Sequence, residues 1–332
     1  MTERVLVTGG SGVVGSATIR ALRATGREVV SLQRSPLPEP LAALGVVEAR
    51  GDITNAAAVA QAMRGIDAVV HAAAKVEITG PWSDFEAVNV VGTRTLLDAA
   101  EGAGVSRVVF VSSPSVAHVG ESLVGAGAEP ADPHMARGNY SRSKAMAEVD
   151  ALGRDRPGFA VTAIRPHLVW GVDDTQLTAR IVERARAGRL VTIGSGAALI
   201  DTTYVDNAGD AIVCAIERAA DDGVHGHPLV VSNGEPRTVT EMLTRIAEAA
   251  GAPGPRLSVP FAVARAGGRV LEEFWERSGR SGEPPVTAFL AEQLATAHWF
   301  DQRQTRLLLG WHPRVSLDEG FDRLGVALGG SR

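Results

Sequence analysis

The chain has 332 residues, 45% of them hydrophobic and 21% charged, enough apolar material to bury a large core in one domain or two joined lobes. Its formal net charge is -5 and it has no dense Lys/Arg run, which argues against nucleic acid or an anionic membrane surface as a partner. One cysteine, Cys214, excludes an internal disulfide, and no apolar stretch reaches the roughly 20 residues of a spanning helix.

The N-terminus, Met1-Thr2-Glu3-Arg4, runs straight into strand-like Val5-Leu6-Val7, leaving no room for a secretory leader, so a cytoplasmic protein is expected. Further strands are expected at Glu28 to Leu32, Val46 to Ala49, Ala68 to His71, Arg107 to Val111 and Ala160 to Ile164. Ala- and Leu-rich helices fall between them, at Ser16 to Thr25, Ala56 to Met63, Phe85 to Ala103 and Tyr140 to Leu152. Such alternation is the pattern of an α/β fold, a Rossmann-like doubly wound parallel sheet.

After Pro166 the alternation weakens. Helices are expected at Thr178 to Ala187, Asp206 to Ala219 and Thr240 to Ala250, with one more strand at Pro228 to Val231. This reads as a smaller, mostly helical C-terminal substrate lobe, formed by 171–200 and 233–332. Residues 1–170 form the dinucleotide-binding unit, and 201–232 return to it. The segment Phe261 to Trp275 has apolar residues at helical spacing and fits a surface helix, a lid over an apolar substrate, or a helix in peripheral contact with lipid. Ser316-Leu317-Asp318-Glu319 is a capping-box pattern that should open a last helix through Leu324.

Gly9, Gly12 and Gly15 follow the first strand and open the first helix. This spacing suits a turn of unusual dihedrals, close approach of backbone to a pyrophosphate, and tight packing of helix on sheet. Val13 and Val14 begin that helix, whose N-terminus would meet the phosphate charge. At the end of the second strand stand neutral Gln33 and cationic Arg34, where an acidic residue would repel a 2'-phosphate. NADP(H) is therefore expected as the preferred cofactor, with NAD(H) as the alternative.

Tyr140 and Lys144 are four residues apart, so on a helix they share a face. An ammonium there would favour the phenolate and lower a pKa normally near 10, which suits a general acid or base for an alcohol/ketone pair. The fifth strand ends in Ser112-Ser113-Pro114-Ser115-Val116 at the carboxyl edge of the sheet. A hydroxyl there can donate to a substrate oxygen that gains charge.

Together these residues resemble the extended short-chain dehydrogenase/reductase superfamily, also known as the NAD-dependent epimerase/dehydratase superfamily, over nearly the whole chain. Within it the chain is most similar to the 3β-hydroxysteroid dehydrogenase branch and the related 2-alkyl-3-ketoalkanoic acid reductases of bacterial olefin biosynthesis. The branch resemblance rests on Ser112 to Val116, Asp201-Thr202-Thr203-Tyr204-Val205-Asp206-Asn207-Ala208, Ser232 to Pro236 and His298 to Asp301.

The resemblance implies Tyr140 as proton donor or acceptor, Lys144 as its electrostatic partner and ribose ligand, and Ser113 as oxygen stabiliser, with Ser112 as the fallback. It places Asp52 and Ile53 beside the adenine, Ala72, Ala73 and Ala74 beside the cofactor, Asn89 as a brace for the active-site strands, and Pro166, His167 and Val169 near the nicotinamide. Trp82, Ser115 and Tyr204 are candidate substrate contacts, for each of which a packing role fits equally well. The histidines lack metal-ligand spacing, so no metal is expected. A homodimer burying the helices of Asn89 and Tyr140 is implied as well.

These features lead to NADP(H)-dependent interconversion of a secondary alcohol and a ketone on a small lipophilic substrate, a β-keto/β-hydroxy acid slightly ahead of a 3β-hydroxysteroid. A sugar-nucleotide epimerase or dehydratase is the enzymatic alternative. Pro114 and Ser115 stand where dehydratases of the superfamily usually carry acidic residues. A dinucleotide-sensing regulator is the non-catalytic alternative, and the retained Tyr140 weighs against it.

Overall fold

The computed structural model describes residues 2–77, 79–117, 120–278 and 284–329. Its centre is a parallel sheet of seven strands: β1 (Arg4–Thr8), β2 (Glu28–Gln33), β3 (Val47–Arg50), β4 (Ala68–His71), β5 (Arg107–Val111), β6 (Ala160–Pro166) and β7 (Pro228–Val231). They lie in the order β7-β6-β5-β4-β1-β2-β3. The chain order reverses at β1, which pairs with β2 on one side and β4 on the other. A doubly wound sheet opens its ligand crevice at such a reversal, outside the carboxyl ends of the strands.

Both faces of the sheet are covered, and this accounts for the unbroken apolar runs of its strands. Val5, Val7, Val70 and Val109 point into one cluster with Ile212 and Ile216. Leu6, Val69, Val108 and Phe110 point into the other with Leu96 and Leu97. Each such side chain contributes about 1.5–3 kcal/mol when fully buried. A third cluster joins Trp170, Tyr204, Leu243, Ile246, Phe321 and Leu324 in the C-terminal helices.

The strands and helices expected from the alternation are present, and several short elements are added. Residues 85–103 are not one continuous α-helix. A turn of α-helix, Trp82–Phe85, is followed by a π-helical segment, Glu86–Val91, and then the α-helix Gly92–Gly102. Away from the main sheet, Arg237–Thr238, Leu199–Ile200, His298–Phe300 and Leu123–Ala126 form a four-stranded sheet in that order. Strands of two to four residues are too short for alternation to announce them. The capping pattern at Ser316 is half realised: its hydroxyl accepts from Glu319 N–H, but the Glu319 carboxylate turns to Arg323 instead.

The two sequence segments around Asp201 and Ser232 form one buried knot. The Asp201 carboxylate accepts from Ser232 Oγ at 2.5 Å and from the N–H groups of Gly234 and Glu235. Asn233 Oδ1 accepts from Tyr204 N–H and Asn207 Nδ2, both at 3.0 Å. The knot ties the end of β7 to the helix Val205–Arg218.

That helix packs directly on the first helix, Val13–Ala24, with backbone close to backbone. A Cβ at Gly209 would stand 2.7 Å from the Ala17 carbonyl oxygen. Gly209→Ala is therefore expected to lower stability by about 1–3 kcal/mol, because backbone rather than a flexible side chain must move. Gly267, inside the helix Phe261–Ser278 with nothing near its missing Cβ, is the control. Gly267→Ala should raise stability by about 0.5–1 kcal/mol. Urea unfolding midpoints check both, and equal shifts of the same sign would refute the close-approach argument.

Candidate active site

The glycine turn closes on itself between β1 and the first helix. Gly9 adopts φ +71°, and its backbone lies against Ala73, so that a Cβ at Gly9 would meet Ala73 Cα and N at 2.8 Å. A Cβ at Gly15 would fall 2.2 Å from Gly9 O. Gly12 caps the first helix without a side chain, and no acidic residue occupies the first turn. The leading N–H groups, those of Val13 and Val14 among them, thus present uncompensated positive charge at the crevice, a setting that fits a phosphate.

At the end of β2, Gln33 is buried and its Oε1 accepts from Ser31 Oγ. Gln33 Nε2 is buried without a partner, as is Ser112 Oγ at the end of β5. Unpartnered buried polar groups are costly, and these two flank the crevice at strand ends where a polar ligand would satisfy them. Arg34 is largely exposed, 3.9 Å from Asp52, whose carboxylate also accepts from Thr54 N–H and Oγ1. Those bonds hold its pKa below the usual carboxylate range. Ile53 is buried in the sheet core and would touch a Cβ at Gly92, so its side chain is a packing element.

Ser113 ends β5 in an extended conformation, just before the short helical turn Pro114–Val116. Its hydroxyl is shared with Ser115 Oγ at 3.0 Å, accepts from Ser115 N–H, and stands near enough to the Tyr140 phenol to lower its pKa. Tyr140 and Lys144 lie on the helix Gly138–Leu152. Lys144 Nζ donates to the Val111 carbonyl at 2.6 Å and sits 4.0 Å above the centre of the Phe110 ring.

Desolvation pulls the Lys144 pKa down to about 7, opposed by the charge of Glu148. Burial pushes the Tyr140 phenol up to about 12, opposed by the nearby Ser113 hydroxyl. This differs from the expectation that Lys144 lowers the tyrosine: burial sets the direction of the shift, and Ser113 is the group that opposes it.

A hydrogen-bonded chain fixes this group to the sheet. Asn89, in the π-helical segment, accepts from Lys75 N–H at 2.7 Å and donates to Lys75 O and to Ser143 Oγ. The Ser143 hydroxyl donates to Tyr140 O at 2.8 Å. On the other side, Thr93 Oγ1 donates to Asn89 O at 2.6 Å, so it accepts from His71 Nε2–H. His71 Nδ1 then accepts from the Thr8 hydroxyl, which in turn accepts from Ala73 N–H. Burial drives the His71 pKa down to about 3, keeping it a neutral relay. His71 and Thr93 were not singled out from sequence; the position of His71 at the end of β4 was the available signal.

The remaining candidates divide. Pro166 ends β6, and His167 donates from Nδ1 to Asp201 O while its ring lies edge-on to Phe300 at 5.0 Å. Val169 pairs with Thr203. Trp82 lies beneath the Arg142 guanidinium, 4.6 Å from ring centre, next to the N-terminal half of the Tyr140 helix. Tyr204 is a correction: it is 1% exposed, packed edge-on against Trp170 at 5.4 Å, and a Cβ on Gly320 would touch its ring. It builds the C-terminal core and does not face the crevice. A cavity of about 730 Å³ lies between the helix Leu177–Arg186 and the last helix, lined by Val182, Glu183 and Leu324 among others, and none of Ser113, Tyr140 and Lys144 lines it.

The sequence profile of the 3-beta hydroxysteroid dehydrogenase/isomerase family matches residues 6–261. The chain is 39% identical to a 2-alkyl-3-oxoalkanoate reductase of Stenotrophomonas maltophilia (strain K279a), over 97% of this chain and 98% of the relative. It is 32% identical to a 3-beta-hydroxysteroid dehydrogenase of Mycolicibacterium neoaurum, over 96% and 89% of the two chains. Among solved structures, MoeE5 in complex with UDP-glucuronic acid and NAD superimposes with a TM-score of 0.72, at 26% identity and 98% coverage of both chains. The chain belongs to the 3-beta hydroxysteroid dehydrogenase/isomerase family and is an NAD(P)-dependent oxidoreductase.

Proposed function

We propose that the protein reduces the ketone of a lipophilic β-keto acid with NADPH, by proton transfer from Tyr140 assisted by Ser113 and Lys144. The observation that carries this reading is the placement of Ser113, just beyond the carboxyl end of β5, close enough to the Tyr140 phenol to lower its pKa, with Lys144 one helical turn on. The preference for a β-keto acid over a steroid is supported by the 39% identity to a 2-alkyl-3-oxoalkanoate reductase, against 32% to the steroid enzyme.

When bound, the nicotinamide would supply or take up the hydride. The turn Gly9 to Gly15 and the uncapped N-terminus of the first helix would hold its pyrophosphate. Gln33 and Arg34 would meet the adenosine ribose, and Arg34 can pair with a 2'-phosphate. Because the phenol keeps its proton up to about pH 12, Tyr140 meets a ketone as a proton donor. Ser113 stands close to that phenol and can donate to the same substrate oxygen as charge develops. Lys144 stabilises negative charge at the tyrosine once its proton has left.

A panel of 2-alkyl-3-oxoalkanoates, 3-ketosteroids and UDP-sugars, each assayed with NADPH and NADH, tests the assignment. Turnover is expected to be fastest for the keto acids with NADPH; turnover of the sugars alone, or a lower KM for NADH, would overturn the corresponding part. Tyr140→Phe should bind NADPH and lose at least about 100-fold in rate.

The pH dependence follows from Lys144. Its ammonium is present below about pH 7 and lost above it, so kcat/KM for ketone reduction should fall as pH rises through that value. A profile rising from pH 7 to 9 would exclude the ammonium from the rate.

The expected homodimer belongs to the same proposal. Val91 and Val149, on the Asn89 and Tyr140 helical segments, are 45% and 50% exposed and offer apolar contacts to a second copy. Sedimentation at a mass of 34.6 kDa alone would refute it.

A further inference from the structure

Glu148 lies four residues beyond Lys144, on the same face of the helix Gly138–Leu152. It has no solvent exposure at all. A buried carboxylate is costly unless paired, and its partner is Arg165 on β6, which is 1% exposed. Arg165 Nε donates to one Glu148 oxygen at 3.0 Å and Nη2 to the other. The third arm, Nη1, donates at 2.6 Å to the carbonyl of Glu129, in the segment leading to the Tyr140 helix. The planar guanidinium fork makes this bidentate geometry rigid, so the carboxylate cannot swing away.

Stability alone gives little reason for such a pair, since well-packed apolar residues in place of a buried ion pair are often neutral or stabilising. Its location gives a better one. Among the described residues, the Lys144 ammonium has the Val111 carbonyl and the face of Phe110 in place of water. We propose that Glu148, clamped by Arg165, is a positioning residue whose negative charge keeps Lys144 in its ammonium form beside Tyr140.

The other titratable groups around Lys144 leave this task to Glu148. His71 lies across the Phe110 ring and is held neutral, with its pKa near 3. Tyr140 keeps its proton up to about 12. Glu148 is the charge that opposes desolvation of Lys144, and without it the ammonium would be lost at lower pH.

The chain offers a direct test, because Lys75 and Lys144 are its only lysines. Protein labelled with [13C]lysine should give two Cε signals, and their shifts against pH report each amine separately. In Glu148→Gln the Lys144 midpoint is expected to fall by about one pH unit, while the Lys75 signal stays in place.

Should the unpaired Arg165 charge prevent folding of that variant, Glu148→Gln with Arg165→Met removes that charge as well, and a downward shift is still expected, smaller because a repelling cation leaves with the carboxylate. A Lys144 midpoint unchanged from the parent in either folded variant would overturn the proposal. The alkaline limb of the ketone-reduction profile should move to lower pH by the same amount. Although the proposal rests on Lys144 acting with Tyr140, the titration needs no substrate. A protein that turns over no keto acid but shows the shift would refute the proposed substrate and leave the role of Glu148 standing.

Discussion

An ammonium placed where water is scarce is the constraint around which this site is built. Lys144 is 3% exposed, donates to one backbone carbonyl and rests on an aromatic face. Each contact dictates something about the fold. The carbonyl belongs to Val111 and the ring to Phe110, so the end of β5 must lie directly under the Tyr140 helix. Ser113 follows two residues later, and the same strand that holds the lysine therefore delivers the hydroxyl that stands near Tyr140. Moving the helix by one residue would separate all three.

What keeps the helix in register is polar and buried. Asn89 links the Lys75 backbone to Ser143, and His71 links β4 to the same asparagine through Thr93. Every donor in that chain has an acceptor, and a satisfied network of this kind admits one arrangement where apolar packing would admit several. The π-helical turn at Glu86–Val91 belongs to this arrangement: Asn89 lies within it and is 1% exposed. Irregular helical turns of this kind are frequent at functional sites.

The parts legible in the sequence were those with a period or a local rule. Alternation announced the seven strands, because strands buried on both faces read as runs such as Val5-Leu6-Val7 and Val108-Val109-Phe110. Spacing announced the glycine turn and the pairing of Tyr140 with Lys144. Features set by tertiary contact were not legible. Nothing local marks Glu148 as paired with Arg165, 17 residues away on a different element. For Tyr204 the sequence left a substrate contact and a packing role equally open, because the neighbours that decide it, Trp170 and Gly320, come from segments remote in sequence. The direction of the Tyr140 shift was misread for the same reason, since spacing reveals the ammonium but not the burial that raises the phenol.

The two shifts together favour one direction of the proposed chemistry. A phenolate forms only above about pH 12, whereas the ammonium that would stabilise it survives only below about pH 7. Both directions disfavour a preformed phenolate beside an ammonium, the pair that alcohol oxidation by the proposed mechanism would use. Proton donation to a ketone has no such conflict: below pH 7 the phenol is neutral and the ammonium charged, and the proton moves towards an oxygen that is gaining charge. The choice of cation matters here. Arginine supplies all but two of the 33 Lys/Arg side chains and stays charged in every setting, whereas the cation beside Tyr140 is a lysine, whose charge its surroundings can adjust. A group of that kind makes the reaction sensitive to pH through the lysine rather than through the tyrosine.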